Sequence, residues 1–111
     1  MLYKFKSKAA GDVIMLQPNG QHILEIIGKH STSEPSVKGI LLPEHMLQAL
    51  LALQNAIQLE EQQRQAALAQ AMAEHLPPPR FEAIGLRQRA LPLMEMMRTC
   101  LKADKAITWG V

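Results

Sequence analysis

The sequence predicts an α+β domain: a small two- or three-stranded sheet made from the N- and C-terminal strands, covered by helices that include one long central helix. Three observations carry that prediction. Both ends alternate apolar and polar residues with the period of two that a half-buried strand requires. Residues 43–76 hold neither Gly nor Pro after the opening Pro43 and are rich in Ala, Leu, Gln and Glu, which lose little on becoming helical. Residues 86–101 repeat apolar side chains at helical spacing. At 111 residues the chain fits a single domain, 1–111, able to bury roughly two thirds of the surface its unfolded form exposes.

At the N-terminus Met1, Tyr3 and Phe5 fall on one side and Lys4 and Lys6 on the other, giving the first strand. Val13-Ile14-Met15-Leu16 fixes no period; we read it as a short helix opened by Asp12 as N-cap, with a buried strand as the alternative. Pro18-Asn19-Gly20 is turn chemistry. Ile23, Leu24, Ile26 and Ile27 then keep helical spacing up to Gly28, which suits the left-handed position that closes many helices. Residues 29–38 are polar and read as an exposed loop. Residues 37–41 offer a third strand, and Pro43 is placed to be the first residue of a helix.

In the long helix Met46, Leu47, Leu50, Leu51, Leu53 and Ile57 share an apolar stripe that Leu68, Met72 and Leu76 rejoin, with Glu60, Glu61, Arg64 and Gln65 interrupting it. An unbroken helix over 43–76 would run about 50 Å, whereas a compact domain of this size is about 35 Å across. Three outcomes are open. Segment 58–76 projects and its Leu68, Met72 and Leu76 patch meets a partner or second subunit; the helix breaks near Leu59 and returns as a hairpin; or its second half frays. The triplet 77–79, all Pro, stops the helix, since none of the three can donate a backbone hydrogen bond. Downstream, Leu86, Ala90, Leu93, Met94, Met97 and Leu101 make one stripe, with a kink at Pro92 or a true start near it. Residues 102–105 turn the chain into a last strand, where Ile107, Trp109 and Val111 alternate with Ala106, Thr108 and Gly110.

Composition narrows the function. The net charge of +2, with no block of like charge, is too small to imply a nucleic-acid or membrane partner, and the longest wholly apolar run, 49–53, cannot cross a bilayer. The single Cys forms no internal disulfide and the N-terminus carries no signal-like apolar segment, so a cytoplasmic location is expected.

The run Leu2-Tyr3-Lys4-Phe5-Lys6-Ser7-Lys8, the block Gly11-Asp12-Val13-Ile14-Met15-Leu16 and the ending Trp109-Gly110-Val111 resemble a small proteobacterial family, domain of unknown function 1840. The resemblance extends to Gly28-Lys29, Lys38-Gly39-Ile40, Pro43, Leu86-Arg87-Gln88-Arg89-Ala90 and Pro92, and omits the Gln-rich centre and the Pro triplet. It implies a small cytoplasmic bacterial protein and brings no activity, cofactor or catalytic residue to carry over.

Arg87 and Arg89, with Arg80 upstream, are the candidate anion-binding residues, because cations near a helix N-terminus oppose its dipole and a carboxylate or oxyanion there would relieve them. Projecting about 160° apart on a helix, Arg87 and Arg89 do not make one fork; pairing with Glu60, Glu61, Glu82 or Glu95 is the competing expectation. Cys100 is expected to be a packed, inert thiol. His22, His30, His45 and His75 lack the spacing of metal ligands, and no metal or cofactor is expected. No strained Ser turn, phosphate-cradling Gly loop or acid–His pairing is present, so no catalytic residue is assigned. The expectation is a non-enzymatic protein-interaction or accessory module, self-association included, with Leu68, Met72 and Leu76 as candidate partner contacts. The alternative is a binder of a small anion, nucleotide or RNA through the three arginines.

Overall fold

A computed structural model describes residues 2–29, 38–81 and 84–110. The loop expected over 29–38 lies outside the described residues from 30 to 37, as do Met1, Glu82 and Val111. In chain order the elements are β1 (Leu2–Lys6), β2 (Val13–Leu16), α1 (Gln17–Ile26), β3 (Gly39–Leu41), α2 (Pro43–Ala73), α3 (Leu86–Ala103) and β4 (Ile107–Trp109). The strands form one antiparallel sheet in the order β2-β1-β4-β3, with the first and last strands adjacent at its centre. The fold is therefore α+β as expected, with four strands where two or three were expected.

The extra strand is the stretch read as a short helix. Residues 13–16 pair with β1 in the register Leu2↔Leu16 and Lys4↔Ile14, burying Met15 and exposing Ile14 and Leu16. Four apolar residues conceal that alternation, because the outer side of this sheet is itself apolar. Asp12 is an exposed residue of the hairpin and caps nothing, while the Ala9 N–H donates to Ser7 Oγ at 3.2 Å in the same connection. The helix starts one segment later, and Pro18, expected in a turn, sits in the first turn of α1, where its missing N–H costs no bond. Gly20 is buried in that helix against the Tyr3 ring, which a Cβ would overlap.

All three helices lie on one face of the sheet and share one core with it. Tyr3, Phe5, Met15, Leu41, Ile107 and Trp109 point from the strands toward Ile23 and Leu24, toward Met46, Leu50, Leu53 and Ile57, and toward Leu86, Leu93 and Met97. Tyr3 stacks on Phe5 with centroids 6.1 Å apart, and Phe5 meets Trp109 at 5.8 Å, so the sparse aromatics are concentrated across the two central strands. Gly39 on β3 lies flat against the Trp109 indole.

Each helix closes with the same pair of backbone bonds. In α1 the N–H of Lys29 reaches the carbonyl of Leu24 and that of Gly28 the carbonyl of Glu25; Gly28 is left-handed as expected, with φ 80°. In α2 the Leu76 and His75 N–H groups reach Ala71 and Met72, and in α3 those of Lys105 and Asp104 reach Cys100 and Leu101. His75 and Asp104 are thus held left-handed at φ 56° and 57° without being glycine. The long helix ends at Ala73, so Leu76 stands past its closing turn rather than on it. α3 runs through Pro92 from Leu86 and does not begin there.

Its 31 residues make α2 about 46 Å long at 1.5 Å per residue, and the molecule measures 52 × 28 × 24 Å. The Cα radius of gyration is 16.1 Å, against about 13 Å for a compact chain of this length. Across 58–73 α2 is one unbroken helix, with no break near Leu59.

Candidate functional site

α3 packs on α2 antiparallel, and their contact is the most extensive between any two elements. Its N-terminus meets α2 at Glu60 and Glu61. Gly85, which precedes α3, has no side-chain cap to offer; Glu60 of α2 supplies one, its Oε1 accepting the Leu86 N–H at 3.0 Å. A free N–H at the positive end of a helix is thereby satisfied by a carboxylate 26 positions away in sequence. A Cβ at residue 85 would stand 3.1 Å from that oxygen, which is why glycine suits this approach.

The arginines partition between the two carboxylates. Arg87 Nε and Nη2 donate to Glu61 Oε2 and Oε1, both at 2.8 Å, a bidentate pair in the open. Arg89 turns to the other side, with Nη2 3.8 Å from Glu60 Oε2, Nη1 donating to Asn19 Oδ1 at 3.3 Å and His22 Nδ1 3.4 Å away. Arg64 completes the cluster 3.4 Å from Glu60, and its guanidinium lies 5.0 Å from the centre of the Phe81 ring. Arg80 lies before α3 and joins neither carboxylate in this cluster. The three candidate arginines therefore do not converge: Arg87 and Arg89 diverge onto Glu61 and Glu60, the pairing the sequence offered as the competing expectation. An anion at the start of α3 would have to displace both carboxylates.

The Arg87 hydrogen bonds hold the Glu61 carboxyl below its ordinary range, with the charges of Arg87 and Arg64 acting in the same sense, and raise the Arg87 guanidinium further. A depressed folded-state value means that Glu61 contributes stability above its unfolded value and loses it as pH falls through the folded one. The pair is solvent-exposed, so the effect is small. The expected result is an NMR carboxyl titration of Glu61 with its midpoint below the usual glutamate value, returning to it in Arg87→Gln; a wild-type midpoint at the usual value would show the bidentate pair does not persist in solution.

Cys100 is fully buried, with Sγ donating to Ser7 Oγ at 3.1 Å. It lies within the buried face of α3, whereas Leu101, expected in that face, is exposed. The described histidines His22, His45 and His75 do not come together, His30 lies outside the described residues, and no three His, Cys, Asp or Glu side chains among those described gather as a metal set.

The larger feature is apolar. Past Glu61, α2 runs beyond the first residue of α3, and Leu68 and Met72 on this arm are exposed, as is Leu76 after it. Leu47 and Leu51, expected in the buried stripe, are also exposed. The helical wheel held the signal: Met46, Leu53 and Ile57 cluster within about 40° of arc, and Leu47 and Leu51 fall about 100° or more from Met46. The outer face of the sheet shows Leu2, Ile14, Leu16 and Ile40 beside Lys4 and Lys6, an apolar surface hidden in the sequence because the four apolar residues 13–16 show no alternation.

A family model described as domain of unknown function (DUF1840) matches residues 1–109. No curated protein and no solved structure matches.

Proposed function

For this chain, which belongs to the DUF1840 family, we propose a role as a non-enzymatic protein-interaction or accessory module of the bacterial cytoplasm that binds through the distal arm of α2. One observation carries the reading: about three and a half turns of α2 extend past the point where α3 begins, with Met72 75% exposed, Leu68 beside it and Leu76 following the closing turn. An arm supported only on one side, with large apolar residues turned outward, is stabilised when another protein covers it. The buried free thiol of Cys100 fits a reducing compartment. No helix of the described residues is long and apolar enough to cross a membrane.

A photo-crosslinking residue placed at Met72 in cells tests this. It is expected to yield a covalent adduct with a protein, whereas the same residue at Glu95, exposed on α3 away from the arm, does not. Equal labelling at both positions, or none at Met72, would remove the basis for the arm as a contact surface.

A further inference from the structure

A single line of residues extends the arm's pattern back along the whole of α2. Starting at Leu47, steps of four and three residues pass through Leu51, Gln54, Gln58, Glu61, Gln65 and Leu68 to Met72, the spacing of a seam between two helices packed at about 20°. The seam lies on the outer side of α2: Leu47, Leu51, Leu68 and Met72 are 58%, 51%, 39% and 75% exposed, and Gln54, Gln58 and Gln65 are exposed as well. Its only charged member, Glu61, is already neutralised by Arg87. The order of residue types is the same read from either end: two large apolar residues, polar residues, two large apolar residues.

We infer that this face is a self-complementary interface, on which a second copy of the chain docks α2 against α2 in antiparallel fashion about a two-fold axis between Leu59 and Glu60. The inference rests on the arm being a contact surface and names its occupant. In that register Leu47 stands opposite Met72 of the second copy, Leu51 opposite Leu68, Gln54 opposite Gln65 and Gln58 opposite Glu61, so apolar meets apolar and amide meets amide or carboxylate. The pairing is isologous, as a two-fold contact must be. A slip of one heptad would set Leu47 against Gln65 and Leu51 against Glu61, so the polar centre specifies the register.

The geometry also supplies what each arm lacks. α3 reaches along α2 to Glu61, and antiparallel docking lays the exposed side of each arm along the other copy's α2 beside α3, next to the groove that Gln54, Gln58, Leu91 and Arg98 line. Opposed helix dipoles favour this direction over the parallel one. A strip about 40 Å long and about 12 Å wide covers roughly 500 Å² per copy, near the lower limit for a specific interface, so the dimer is weak and forms with rising concentration.

Charge exchange across the seam tests it. Leu51→Lys and Leu68→Glu are both at exposed positions, so each variant is expected to keep the wild-type melting curve. In sedimentation velocity from about 5 to about 500 µM, the wild type is expected to move from monomer toward dimer mass. Each single variant is expected to weaken dimerisation at least about tenfold. The double variant is expected to recover most of that, because the introduced lysine of each copy then faces the introduced glutamate of the other. A wild type that stays monomeric throughout, or a double variant no better than the singles, as a parallel pairing would give, overturns the inference. Monomers whose Met72 still crosslinks a different protein would overturn it while leaving the arm's role as a contact surface intact.

Discussion

Replacing Trp109 with alanine is expected to cost about 3–5 kcal/mol, the range for truncating a large buried aromatic. The indole is 2% exposed on a central strand, packed against Phe5 on one neighbour and Gly39 on the other, so its removal opens a cavity that three strands border. Domains of this size carry about 5–15 kcal/mol in total, and the variant would therefore retain a small part of its stability or unfold outright. Urea denaturation followed by far-UV circular dichroism measures the loss. Trp109→Phe is expected to be much milder, partly because Nε1 is buried without a hydrogen-bond partner among the described residues and phenylalanine removes that unpaired donor. A loss below about 2 kcal/mol for the alanine variant would contradict the packing described.

The second large effect comes from adding a methyl group. In Gly39→Ala the new Cβ would stand 2.5 Å from Trp109 Cζ2 and 2.8 Å from Cε2, closer than carbon atoms approach. The obstruction is a rigid ring already held by Phe5, so relief requires moving β3 away from β4, and the expected cost is about 1–3 kcal/mol. The nearest of these atoms, Cζ2, belongs to the outer, six-membered ring of the indole, and phenylalanine has no second ring to place there. Gly39→Ala is therefore expected to cost distinctly less in a Trp109→Phe background, and a double-mutant cycle measures the coupling. Additive effects would show that the glycine is needed for some reason other than the ring.

The sequence disclosed those elements whose burial follows one regular period. β1 and β4 alternate openly because Lys4, Lys6 and Thr108 stand on the outer side, and α3 shows its stripe because polar residues fill the other face. β2 was hidden because Ile14 and Leu16 are apolar and exposed, so its alternation exists only in the structure. Pro18 and Gly20 looked like a turn for a related reason: the role of Gly20 is room for the Tyr3 ring, a tertiary requirement that local propensity cannot express. Among the site residues, the carboxylates that meet Arg87 and Arg89 were named from charge alone. That Glu60 also caps α3 depends on antiparallel packing with a register of its own. The length of α2 was legible as a conflict with domain size, and only the coordinates show that the helix does not break to relieve it.

The sheet order fixes when this fold can come together. Phe5 and Trp109 are neighbours in space and stand more than a hundred positions apart in the chain, so joining them costs about 4 kcal/mol in loop closure before any packing offsets it. β3 touches no described strand except β4, and β1 meets β3 only through β4. During synthesis the β1–β2 hairpin must wait with Tyr3 and Phe5 uncovered by the rest of the sheet, and β3 waits without any neighbour, until β4 emerges and slots between them. Folding is thereby tied to the synthesis of β4, and a ribosome that stops short of Ile107 releases a hairpin and an orphan strand instead of a sheet.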